Sequence, residues 1–136
     1  MTARRHVFEY ALLRVVPRME RGESMNAGVI VYCRGLDFLG ARVHLDADRL
    51  KALDPGADPD AVRRILDAAT GACESEAGAA GPDEPRHEEL RRAFRWLTAP
   101  RSTVVQPGPV HTGLTADPAA ELDRLLGLLV LPVARP

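Results

Sequence analysis

Polar chemistry is densest between Arg101 and Gly113, which reads Arg-Ser-Thr-Val-Val-Gln-Pro-Gly-Pro-Val-His-Thr-Gly. The segment holds a guanidinium (Arg101), an imidazole (His111), three hydroxyls and the Gln106 amide, with no acid among them. Two prolines and two glycines bend or stiffen its backbone. Polar groups on a constrained loop beside a strand are a common way to hold a ligand, and this set suits an anion.

A second group of polar residues lies near the N-terminus. Arg14 falls within an apolar run and on strict alternation shares a face with Phe8, Tyr10, Leu12 and Val16. A guanidinium there needs an anionic partner or a route to solvent. Glu23, in Arg21-Gly22-Glu23, is placed to pair with Arg14 or Arg101. Asn26 opens a run whose next residues, Ala27 and Gly28, permit close backbone approach. Arg14, Glu23, Asn26, Arg101, Ser102, Gln106 and His111 are therefore the candidate ligand-binding residues.

Catalytic machinery is harder to assemble. Ser102, Thr103 or Thr112 would need an adjacent base, and His111 is the nearest, but no Gly-x-Ser-x-Gly elbow surrounds any hydroxyl. Glu23 has no second carboxylate at a useful spacing. His6, His44, His87 and His111 are scattered, Cys33 and Cys73 lack ligand spacing, and no metal site is expected. Phosphate-cradling and dinucleotide-binding glycine loops are absent, so no cofactor is expected either. Arg91, Arg92 and Arg95 lie beside Trp96 in a pattern that nucleic-acid binders use, but it reads better as the solvated face of a helix. The net charge of −1 gives nucleic acid no general attraction.

The elements that must position these residues follow from patterning. Phe8–Val16, Met25–Cys33 and Phe38–Leu45 read as strands, and their close spacing favours antiparallel pairing. Asp46 caps a short helix to Leu53. Asp58-Pro59 opens another, with Val62, Ile65, Leu66 and Ala69 at helical spacing. The small, acidic stretch 74–85 reads as a mobile surface loop. A helix over 86–97, a fourth strand over 101–106 and a last helix opened by Asp117-Pro118 complete the chain. At 136 residues, 46% hydrophobic and 27% charged, this is one soluble α+β domain. Its expected sheet has three or four mainly antiparallel strands, with helices packed on one face. No apolar run approaches the length of a membrane span, and the N-terminal residues lack the apolar block of a secretory signal, so a cytoplasmic protein is expected.

Three stretches together resemble a bacterial family of unknown function: residues 8–17, Phe-Glu-Tyr-Ala-Leu-Leu-Arg-Val-Val-Pro; Arg21-Gly22-Glu23 with Asn26-Ala27-Gly28-Val29; and residues 101–106, Arg-Ser-Thr-Val-Val-Gln. The resemblance covers roughly residues 7 to 131. It implies a small cytoplasmic protein without assigned activity, often encoded near a HipA-like kinase domain, and hence an accessory role with a protein partner. It supplies no catalytic residues. A non-enzymatic binding or accessory module for an anionic ligand or protein partner is the favoured reading. A small hydrolase or transferase acting on phosphate-containing or nucleic-acid substrates, with His111 or Glu23 as base, is the alternative. An exposed edge strand or the leucine-rich last helix offers a surface for a homodimer.

Overall fold

Ten residues rich in β-branched and aromatic side chains form the longest strand, β1 (His6–Val15), and Pro17 stands two residues beyond its end. In the computed structural model, which describes residues 3–79 and 86–133, β1 is paired along both edges. On one side runs β2 (Met25–Cys33), which pairs in turn with β3 (Phe38–Val43). On the other side lie two short strands end to end, β4 (Val105–Pro107) and β5 (His111–Thr115). Every pairing is antiparallel.

The fold is therefore α+β, with five strands rather than three or four. The expected strand over 101–106 shrinks to Val105–Pro107, and β5 forms where only a loop was expected. Pro107 and Pro109 flank Gly108, and proline cannot donate to a ladder, so the strand is interrupted and resumes at His111.

A bulge at Ala27 sets which side chains face which way. Leu13 pairs with Gly28 but Arg14 pairs with Asn26, so Ala27 has no opposite number. The extra residue shifts the alternation, and Met25 and Ala27 join Ile30 and Tyr32 in the same core. That core is closed by α1 (Ala47–Leu53), α2 (Pro59–Ala79) and α3 (His87–Leu97) through Leu50, Val62, Leu66, Leu90 and Phe94. The opposite face is also covered. Phe8, Val29, Val31 and Cys33 form a second core with Leu122 and Leu125 of α4 (Pro118–Leu129). The expectation that all helices share one face is thus corrected: β2 is buried on both faces, as its nearly unbroken apolar run requires.

The helix starts follow their sequence signals. Asp46 and Asp117 each accept a hydrogen bond from the amide three residues on, and Asp58 caps α2 through the amides of Asp60 and Ala61. The acidic stretch assigned to a loop is helical through Ala79, while residues 80–85 lie outside the described residues. Ala and Glu favour helix, and buried Cys73 anchors this turn to the first core.

The two-faced burial makes a direct prediction. Leu122 is 1% exposed and Leu128, six residues further along the same helix, is 62% exposed. Leu122→Ala should destabilise the domain by about 2–5 kcal/mol in urea unfolding, whereas Leu128→Ala should cost less than about 0.5 kcal/mol. Equal, small effects would mean that α4 does not close a core.

Candidate anion site

Arg14 lies on the α4 side of the sheet, between Asn26 of β2 and Gln106 of β4, each in direct register with it. The three side chains, all half-buried, form one polar row across three adjacent strands. Both neighbours are held from outside the row. The Asn26 amide donates to the Leu129 carbonyl at 3.0 Å, and the Gln106 amide donates to the Thr103 carbonyl at 2.9 Å. The Gly108 amide donates to the Leu12 carbonyl at 2.8 Å, which draws the proline-flanked loop against β1.

Gly108 gives the guanidinium its seat. A Cβ built at this position would lie 3.1 Å from Arg14 Cζ and 3.2 Å from Nε and Nη2, so the bare backbone permits close approach. Among the described residues no carboxylate pairs with Arg14, and its guanidinium makes no hydrogen bond. A half-buried guanidinium presenting free N–H groups is equipped to take a carboxylate or phosphate in a forked pair.

The remaining candidates lie elsewhere. Glu23 is exposed and pairs with Arg21, two residues away, so it serves neither Arg14 nor Arg101. That pairing raises the Arg21 pKa, first through the Glu23 hydrogen bond and then through its charge. Arg101 belongs to the opposite face of the sheet. Its guanidinium sits 4.9 Å from the centre of the Trp96 ring and donates to the Trp96 carbonyl, an arrangement set by the tight connection after α3. Ser102 is exposed. His111 stands opposite Tyr10 with ring centres 5.2 Å apart, four residues along β1 from Arg14 or about 13 Å. Of the seven candidate residues the structure brings three, Arg14, Asn26 and Gln106, into one row.

Sequence reasoning also missed a surface. An apolar groove of about 560 Å³ runs between α2 and α3 past Ala72, Ala93 and Trp96. It continues towards β4 over Ile65, Ala69, Arg101 and Val105. Trp96 is 65% exposed at its lip. The available signal was a tryptophan set beside the polar face of a strongly amphipathic helix.

Neither cysteine is poised for chemistry. Burial pushes the Cys73 thiol up to about 12, with the Glu74 charge adding to it. Burial also raises the Cys33 thiol, against the lowering effect of the Leu36 and Gly35 amides. Among the described residues no three His, Cys, Asp or Glu side chains cluster to hold a metal, and no helix is long and apolar enough to cross a membrane.

A family model described as "Protein of unknown function (DUF3037)" matches residues 10–130. The chain belongs to that family. Comparison with curated proteins and with solved structures finds no match. The match spans β1 from Tyr10 to the end of α4, and so includes Arg14, Asn26, Gln106 and Gly108.

The cysteine environments carry a pH prediction. The folded Cys73 thiol stays protonated up to about pH 12, whereas an unfolded thiol ionises near pH 9.0. Between these values the unfolded state binds fewer protons, so stability falls as pH rises. Urea titrations should show the wild type losing stability more steeply than Cys73→Ala across that window, by up to about 1.4 kcal/mol per pH unit. Native protein near neutral pH should resist iodoacetamide at both thiols.

Proposed function

We propose that this protein is a non-enzymatic binding module whose Arg14–Asn26–Gln106 row receives a small anionic group, a carboxylate or a phosphate. One observation carries the reading: Arg14 is half-buried, seated against Gly108 between two anchored amides, and has no acidic partner among the described residues. Leaving a guanidinium partly desolvated and unpaired costs free energy that a bound anion recovers. The helix end also favours one side of the row. Asn26 meets the C-terminal carbonyls of α4, where the helix dipole is negative, so the ligand sits on the Gln106–Gly108 side of Arg14.

A hydrolase or transferase at this row is disfavoured by the same geometry. Its expected bases are elsewhere, Glu23 on Arg21 and His111 against Tyr10, and among the described residues neither side chain is hydrogen-bonded to a hydroxyl. The protein-partner reading attaches to the other face, at the groove beneath Trp96.

Inorganic phosphate is the simplest probe. A ligand of the native state raises the melting temperature, and phosphate at about tenfold its Kd adds about 1.4 kcal/mol, or roughly 3–6 °C. The rise should exceed that given by chloride at equal ionic strength. It should vanish in Arg14→Ala and shrink in Arg14→Lys, which keeps the charge but loses the fork. Trp96→Ala should weaken a protein partner and leave the phosphate response intact. A phosphate response equal in wild type and Arg14→Ala would refute the site.

A further inference from the structure

The two edges of the sheet are finished differently. At β3, helices α2 and α4 pack alongside, and the charged Arg42 is tied to Asp123 of α4 at 3.2 Å. At the opposite edge the β4 half is guarded by Pro107 and Pro109. The β5 half, His-Thr-Gly-Leu-Thr, carries no proline, no acid and no Lys or Arg. Bare edges invite another strand, and proteins normally block them with charge, proline or a covering element.

The backbone pattern specifies which strand. Val16 and Gly108 donate across to Val104 and Leu12, so the even residues of β1 direct their main-chain groups towards this edge. With Phe8 opposite Gly113 and Tyr10 opposite His111, the odd residues of β5 bond inward to β1. Thr112 and Leu114 therefore turn their N–H and C=O groups outward. Those outward groups match a copy of themselves. About a twofold axis at Gly113, Thr112 of one copy faces Leu114 of the other, and each such pair exchanges two hydrogen bonds.

The side chains agree with this pairing. Val7 and Leu114 face each other across β1 and β5 and are 61% and 55% exposed, an apolar pair that no helix covers among the described residues. The axis brings the two pairs together as one cluster, Leu114 lying diagonal to its own copy. Charge permits the approach: the nearest acid on this face, Glu9, is aligned through Thr112 with the other copy's Leu114 and Val7, so no acid meets an acid.

We infer that the protein forms a homodimer by antiparallel pairing of β5 with β5 about Gly113, which joins the two sheets into one. The interface is small beside the roughly 800 Å² per partner of a standard one, so the dimer is in dynamic exchange with monomer. This surface is separate from the Arg14 row and does not rest on anion binding.

Sedimentation equilibrium of the full chain at about 100 µM tests it, since a dimer with a Kd of about 10 µM is then mostly assembled. The expected mass is twice 14.8 kDa. Leu114→Lys, at an exposed position, places like charges beside the axis and should return the mass to that of a monomer with an unchanged circular-dichroism spectrum. Thr112→Pro removes an outward N–H and should do the same; if it unfolds, Leu114→Lys decides. A monomeric wild type, or a dimer that Leu114→Lys leaves intact, overturns the inference.

Discussion

Burial of the central strands on both faces is the constraint from which the rest of the structure follows. β2 has no solvent side: Ile30 and Tyr32 enter the core under α1–α3, and Val29, Val31 and Cys33 enter the core under α4. An apolar strand of this kind tolerates no unsatisfied polar atom. The polar side chain that does enter it, Asn26, is at the bulged end, where the shifted alternation turns it to the α4 side and the Leu129 carbonyl accepts its amide proton. The bulge thus reconciles two demands, keeping Met25 and Ala27 in one core while delivering Asn26 to Arg14. Gly113 meets a matching demand on the same face. A Cβ there would fall 2.7 Å from the Phe8 ring, so glycine lets that ring lie flat against β5.

Much of this was legible in the sequence, and for identifiable reasons. Aspartate before proline or before an apolar stripe gave the starts of α2 and α4, because a capping carboxylate and a fixed φ act locally. The limits of β2 coincide with its apolar run. What escaped was non-local. The nearly unbroken apolarity of Met25–Cys33 already signalled burial on two faces, but an amphipathic last helix does not say which side of a sheet it covers. Nor could β5 be read from His111–Thr115, a five-residue segment with a central glycine that becomes a strand because β1 presents it with a free edge.

The candidate site shows the same division. Alternation placed Arg14 on the face of Phe8, Tyr10 and Leu12 correctly, and cross-strand register then supplied Asn26 and Gln106. Glu23 and Arg101 were grouped with them by charge alone. Charge does not tell which face a residue occupies: Arg21 captures Glu23 locally, and Arg101 sits with Leu13 on the far side of the sheet. Gly108 was notable only as a turn glycine, while its role as the surface beneath a guanidinium depends on a contact between residues 94 positions apart. Membership of a family of unknown function fixes the lineage of this arrangement and leaves its chemistry to be read from the row itself.

The most direct measurement of that chemistry is the side-chain nuclear magnetic resonance of the arginines during a phosphate titration. A forked pair at a half-buried guanidinium shifts its Nε–H signal strongly and saturably. The account predicts one saturating arginine, Arg14, accompanied by the side-chain amides of Asn26 and Gln106, while the exposed guanidinia of Arg92 and Arg95 drift only with ionic strength. Uniform, unsaturated drift of all the arginine signals, or saturation at Arg101 in place of Arg14, would contradict it.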